Sequence, residues 1–119
     1  MLIARRGGDL YLERRPPSGL WGGLWSFPEL GSDEDVGDWC ERRFDSRPLS
    51  VTEWATFRHS FSHYDLDILP LVVQVEAASR RVADSAGGGW YPLAETPAVG
   101  LAAPVEKLMN SLREERMEL

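Results

Sequence analysis

Apolar and polar positions along the chain first alternate at the period of a strand. Leu2 to Arg6 and Leu10 to Arg15 read as two short strands around Gly7-Gly8-Asp9, a hairpin signal with glycine where positive φ is needed. In the second strand Leu10, Leu12 and Arg14 share one face, and Tyr11, Glu13 and Arg15 the other. Pro16-Pro17-Ser18-Gly19 ends it in a turn. The period then changes: Val36, Trp39, Cys40 and Phe44 recur at helical spacing. A helix is predicted over Ser32 to Phe44, with Ser32 as N-cap and Asp35 completing a capping-box analogue. Asp33, Glu34 and Asp35 sit at the positive end of its dipole, and Arg42 and Arg43 at the negative end.

Residues 51–57 read as a further strand. Tyr64, Leu66 and Ile68 then alternate with Asp65 and Asp67. After Pro70 the apolar set moves to Leu71, Val73 and Val75, a change of phase that predicts a bulge or bend at the proline. Residues 76–89 are polar, end in Gly87-Gly88-Gly89 and read as a surface loop. Trp90-Tyr91 starts a short final strand, and Pro92 to Thr96 a single helical turn. A last helix follows, with Pro104 in its first turn and Val105, Leu108, Met109 and Leu112 as its buried stripe. The charged residues 113–119 are expected to fray. The order β-β-loop-α-β-β-loop-β-α predicts an α/β (α+β) sandwich with a mixed sheet.

Composition narrows the class. At 119 residues the chain is expected to be one domain, residues 1–119, with five Trp, four Phe and three Tyr to fill its core. One cysteine, Cys40, excludes an internal disulfide and a cysteine-rich zinc or iron–sulfur site, and fits a reducing, cytoplasmic compartment. No apolar run is long enough for a membrane span. The formal charge is −6, and residues 31–50 alone carry six acids against three arginines. With no basic stripe, any nucleic-acid binding must rest on specific contacts or on another domain. The chain opens inside a strand at Leu2-Ile3-Ala4, which is expected of a piece of something larger.

Two stretches stand apart. Gly19-Leu20-Trp21-Gly22-Gly23-Leu24-Trp25-Ser26-Phe27-Pro28 mixes hinge glycines with bulky anchors; it reads either as a loop packed on the sheet or as a close-approach surface for a ligand. Arg58-His59-Ser60-Phe61-Ser62-His63-Tyr64 holds both histidines and reads as a loop between two strands. It is either a turn packed on its own domain or a sheet-supported site for a heterocyclic base or a nucleic-acid backbone.

Strand, loop, Trp-x-Phe-Pro and helix in that order resemble the Nudix hydrolases, whose helical acids hold a catalytic magnesium. The signature does not carry through. Starting at Gly23 gives Glu29 correctly, but Gly37 and Asp38 then fall at its Arg-Glu positions, and Glu41-Arg42 at its Glu-Glu pair. Anchoring on Trp25-x-Phe27-Pro28 puts Leu30, Val36 and Phe44 at its Gly, Glu and Arg. Neither register leaves a metal site, so the fold is expected without that hydrolysis. Asp65 and Asp67 share a strand face and could form a carboxylate pair, or simply face solvent. His59 and His63 have no third ligand nearby for a metal.

Three segments together, Arg14 to Pro28, Phe57 to Ile68 and Val99-Gly100-Leu101-Ala102-Ala103-Pro104, resemble the C-terminal domain of bacterial MutY adenine DNA glycosylases. The resemblance covers essentially the whole chain. It implies a Nudix-like sandwich with a mixed sheet flanked by helices, and a parent DNA glycosylase that removes adenine opposite 8-oxoguanine in base excision repair. The partners it implies are duplex DNA carrying 8-oxoguanine opposite adenine, and the protein's own N-terminal helical domain. That domain would hold the catalytic Glu and Asp and an iron–sulfur cluster, so no cofactor and no catalytic residue is expected within this chain. The family's Phe-Ser-His motif falls on Phe61, Ser62 and His63, with Arg58, His59 and Tyr64 completing the expected DNA-contacting set. A hydroxyl such as that of Ser62 both donates and accepts, and so suits the N7–H and C8 carbonyl that oxidation gives guanine. Phe61 would wedge at the base step and His63 would contact sugar or phosphate. The implied location is the bacterial cytoplasm, at the nucleoid. A Nudix-type nucleotide pyrophosphohydrolase and a non-enzymatic protein-interaction module are the alternatives.

Overall fold

Strand pairing at the start of the chain follows from one tight turn. The computed structural model describes residues 1–31, 33–61, 63–76, 88–95 and 97–117, with side chains in the last helix as far as Glu114. Strands β1 (Leu2–Arg6) and β2 (Asp9–Arg14) pair antiparallel across Gly7, whose φ of +60° suits glycine. The other strands are β3 (Trp25–Ser26), β4 (Ser50–Glu53), β5 (Phe57–Ser60), β6 (Asp65–Ile68), β7 (Leu71–Gln74) and β8 (Gly88–Pro92). The helices are α1 (Val36–Phe44) and α2 (Ala103–Met117).

A six-stranded mixed sheet runs β3-β2-β1-β7-β4, with β8 also on β2. The β1–β7 pair is parallel, with Ile3 opposite Val72 and Arg5 opposite Gln74; the other pairs are antiparallel. Strands β5 and β6 form a separate two-stranded sheet. Because successive side chains point to opposite faces, each central strand serves both layers. Ile3, Leu10, Leu12 and Val72 pack with Val105, Leu108, Met109 and Leu112 of α2. Leu2, Ala4, Tyr11, Val73 and Val75 pack with Trp39, Cys40 and Phe44 of α1. Each fully buried Leu, Val or Phe among them contributes about 1.5–3 kcal/mol of transfer free energy. The mixed sheet flanked by helices is thus the expected sandwich.

Several boundaries differ from the sequence reading. Helix α1 begins at Val36, not at Ser32, which lies outside the described residues. Glu34 donates its N–H to the Gly31 carbonyl (3.0 Å) and accepts the Gly31 N–H at its own carboxylate (2.9 Å), making a separate turn. Asp35 is left to cap the helix, accepting the Asp38 N–H at 2.9 Å. The predicted strand 51–57 is two strands. Trp54 N–H bonds the Pro70 carbonyl at 2.9 Å, and proline has no N–H to continue that ladder, so β4 and β7 part from β5 and β6 there. The bend predicted at Pro70 is real, and it breaks both strands of the pair. Gly88 and Gly89 belong to β8 rather than to a loop, while residues 77–87 lie outside the described residues. Leu93 to Glu95 turn back on β8, with the Glu95 N–H on the Pro92 carbonyl at 3.3 Å; Thr96 is not described. Helix α2 does not fray at 113 but runs to Met117. Arg113 anchors it by donating to the carbonyls of Leu93 (2.7 Å) and Glu95 (3.0 Å).

Candidate functional site

The region predicted as a loop over 58–64 is narrower in the structure. Arg58, His59 and Ser60 lie in β5, and just beyond them the Phe61 N–H bonds the Tyr64 carbonyl at 2.8 Å. Register fixes the two faces of this hairpin: Phe57 opposes Ile68 and His59 opposes Leu66, while Arg58 opposes Asp67 and Ser60 opposes Asp65. The first set faces inward and is half-buried or buried; the second is exposed.

The inward face carries an aromatic cluster. His59 and Phe61 meet edge to face at 4.7 Å between ring centroids, and Phe61 stacks on Tyr64 at 4.7 Å. Trp21 lies against both His59 and Phe61 at 5.7 Å. Such aromatic pairs contribute about 0.5–1.5 kcal/mol each beyond their buried area. Tyr64 is 52% exposed and His63 is exposed in the turn. Ser62 lies outside the described residues. The tip thus brings His59, Phe61 and Tyr64 together and leaves one aromatic ring of the stack open to a partner.

Arg58 does not join them. It sits on the exposed face, where its Nε donates to Asp67 at 2.9 Å and its Nη1 lies 3.7 Å from Asp65. The hydrogen bond from Arg58, then its charge, holds the Asp67 carboxyl below its usual range and raises the Arg58 guanidinium. Asp65 and Asp67 therefore share a face, as the alternation requires, and serve as partners of Arg58.

Trp21 is the contact that the sequence reading does not connect to this site. Its loop folds back on itself: Arg15 N–H bonds the Leu24 carbonyl (2.8 Å), Gly23 N–H the Pro16 carbonyl (3.0 Å) and Leu24 N–H the Trp21 carbonyl (3.0 Å). Gly22 lies so close to Pro17 that an added Cβ would stand 2.5 Å from its carbonyl oxygen. This crossing holds Trp21 at φ +53°, a left-handed conformation costing a bulky residue about 1–3 kcal/mol. The signal that could have found it is the tryptophan itself, since a loop this tight has no room to bury an indole within itself.

The same loop binds the third segment. Trp25 N–H bonds the Gly100 carbonyl at 2.8 Å, and Ala102 N–H bonds the Trp25 carbonyl at 2.9 Å. A Cβ at Gly100 would approach Leu24 to 3.1 Å. The three segments singled out in the sequence therefore meet, with the loop after β2 as their hub. Between this loop, the approach to α1 and β6 lies a cleft of about 610 Å³, whose lining includes Arg15, Trp21, Glu29, Leu30, Leu66 and Ile68.

The acids of α1 do not form the metal centre of a Nudix hydrolase. Arg47 bridges Glu41 (2.9 Å), Asp38 (3.3 Å) and the cap residue Asp35 (3.9 Å). Glu29 is paired with Arg15 at 3.2 Å. Among the described residues no three His, Cys, Asp or Glu side chains converge as metal ligands. The donor set does not fit a magnesium ion, because its carboxylates are engaged by arginines.

Fold and site together define a Nudix sandwich whose helical acids face cations of its own chain. The NUDIX domain family model matches residues 1–111, and the chain belongs to that family. Curated relatives are more specific. An adenine DNA glycosylase of Buchnera aphidicola subsp. Schizaphis graminum is 23% identical over 109 residues, 92% of this chain and 31% of the relative. The adenine DNA glycosylase of Buchnera aphidicola subsp. Baizongia pistaciae is 25% identical over 112 residues, 94% of this chain and 31% of the relative. The chain thus spans about a third of the length of the curated relatives it matches. Among solved structures, the C-terminal domain of mouse MUTYH, in its complex with human PCNA, superposes with a TM-score of 0.64 at 18% identity, covering 99% of this chain and 88% of that one. The MutT NUDIX hydrolase of Burkholderia pseudomallei gives 0.61 at 18% identity, covering 92% of each chain. Shewanella oneidensis NrtR, complexed with a 27mer DNA, gives 0.61 at 18% identity, covering 98% of this chain and 59% of that one. At these identities the structural likenesses establish the shared fold.

Proposed function

We propose that this chain is the 8-oxoguanine-recognising part of an adenine DNA glycosylase, acting in base excision repair of 8-oxoguanine:adenine mispairs. The observation that carries the reading is the aromatic hairpin tip, His59-Phe61-Tyr64 on Trp21, at the meeting point of three segments that resemble this family. The matches to adenine DNA glycosylases along most of the chain support it. In this reading Phe61 and Tyr64 offer ring faces to a base step, Ser62 reads the N7–H and C8 carbonyl of the lesion, and His63 contacts sugar or phosphate. His59 supports Phe61 from below. Arg58 stiffens the outer face through Asp67 and contributes less to DNA contact than the other five.

Adenine excision would belong to another part of the glycosylase, which would also hold the catalytic carboxylates and the iron–sulfur cluster; the bacterial cytoplasm, at the nucleoid, is where it would act. The pyrophosphohydrolase reading loses support from Arg47 and Arg15, which engage the acids that such an enzyme would need for its metal.

The test measures adenine excision opposite 8-oxoguanine and opposite guanine by the whole glycosylase. Ser62→Ala with His63→Ala is expected to lower the ratio of the two rates about tenfold, the size of one lost base-edge contact. An unchanged ratio would sink the site assignment.

A further inference from the structure

We propose that the α2-side face of β1, β7 and β4 carries a phosphate-binding pocket built on Arg5, separate from the hairpin tip. The pocket has a volume of about 190 Å³ and is lined by Arg5, Ser50, Thr52, Trp54, Val72 and Gln74. That is room for a tetrahedral oxyanion with some of its water, at about 30 Å³ per water molecule.

Register assembles the lining. Arg5 is the Cα partner of Gln74, Gln74 of Ser50, and Val72 of Thr52. Partners across a ladder share a face, and this face is the one where Ile3, Val72 and Trp54 pack toward α2. One row of the sheet therefore presents a guanidinium, an amide and a hydroxyl side by side, with a second hydroxyl in the next row.

Two observations say that this row awaits a ligand. Arg5 Nε and Gln74 Oε1 are buried and have no hydrogen-bond partner among the described residues, a state that ordinarily demands one. Arg5 also has no carboxylate partner among the described residues, whereas Arg15, Arg42, Arg43, Arg47 and Arg58 are each ion-paired. None of the six lining residues is acidic, in a chain with 19 acids. The pocket consequently offers mostly donors: the guanidinium fork, two hydroxyls, and the Gln74 amide once turned to present its NH₂. A phosphate accepts from all of them, and takes the Nε–Nη fork of an arginine in two parallel bonds. Its source is either the backbone of a nucleic acid or a free phosphate group, and the same chemistry serves both.

The test follows the arginine Nε–H signals of the chain in ¹H–¹⁵N correlation spectra during titration with inorganic phosphate, against sodium chloride at matched ionic strength. The Arg5 signal is assigned by its loss in Arg5→Gln or, should that variant not fold, in Arg5→Lys. The Arg5 signal is expected to move saturably with a midpoint of about 1 mM, an affinity of the size that a few charge-assisted bonds provide. The Arg14 signal is expected to stay in place, and Thr52→Val to raise the midpoint about threefold, as the loss of one hydrogen bond would. An undamaged duplex that moves the same signal identifies a nucleic-acid backbone as the source; a response to phosphate without one to duplex identifies a free phosphate group. A shift no larger than chloride produces, or no larger than that of Arg14, overturns the proposal. None of these outcomes depends on lesion recognition by the hairpin.

Discussion

Cys40 has the chain's one thiol and no exposed surface. It is enclosed by the sheet face of Leu2, Ala4 and Tyr11 and by its α1 neighbours Trp39 and Phe44. Burial pushes its pKa up to about 11, against a weaker opposing pull from the Arg47 charge. A thiol of this kind stays protonated and unreactive at neutral pH. The unfolded thiol ionises near pH 9 and the folded one near 11, so between these values the unfolded state has lost its proton while the folded state retains it. Stability from this group is complete below pH 9 and is expected to fall by up to about 1.4 kcal/mol per pH unit above it. Denaturant unfolding of the chain and of Cys40→Ala between pH 8 and 10 checks this, and the variant is expected to show the shallower decline. Equal slopes would mean that the thiol is not desolvated as its burial implies.

At the scale of elements, the loop from Pro16 to Leu24 acts as a brace. It fixes Trp21 in a left-handed conformation and sets the indole under the β5–β6 hairpin, which forms a two-stranded sheet of its own. Trp21→Ala removes two ring contacts, so the Phe61 amide, bonded to the Tyr64 carbonyl, is expected to exchange with solvent at least about tenfold faster. Amides of the β1–β7 ladder are expected to keep their rates, and Trp21→Phe to restore most of the protection. Unchanged Phe61 exchange in Trp21→Ala would show that the hairpin holds its own shape. This brace also marks the limit of what the sequence discloses. Helical and strand periodicity are local, so the stripes of α1 and α2, the β1–β2 hairpin and the bend at Pro70 are legible from neighbouring residues. The helix start is less so, because Ser32 and Asp35 are both good caps and the Glu34–Gly31 turn decides between them. The division of 51–57 into β4 and β5 depends on Pro70 lying opposite Trp54, which is a matter of register across the sheet. The contact of Trp21 with His59 and Phe61 joins distant segments, and its one local trace is an indole in a loop too tight to bury it. Phe61, His63 and Tyr64 are nevertheless identifiable as a candidate site, because the motif that carries them is contiguous.

For the whole molecule the question is how a chain of charge −6 could bind a polyanion. Most of the described arginines are already committed. Arg15, Arg42, Arg43, Arg47 and Arg58 pair with carboxylates, and Arg113 holds two backbone carbonyls. Each such pair would have to be broken before its cation could neutralise a phosphate, and the acid released would then repel the DNA. Binding by this chain should therefore release few counterions, with the aromatic tip giving contacts that salt does not screen. The logarithm of the association constant for an 8-oxoguanine-containing duplex is expected to fall with the logarithm of salt concentration at a slope no steeper than about −2. This corresponds to a loss of affinity of at most about sixteenfold between about 50 and 200 mM salt. Fluorescence polarisation of labelled duplex across that range measures it. A slope of about −5 or steeper would require several of the ion-paired arginines to change partners, and would move the main contact from the hairpin tip to the charged surface of α1.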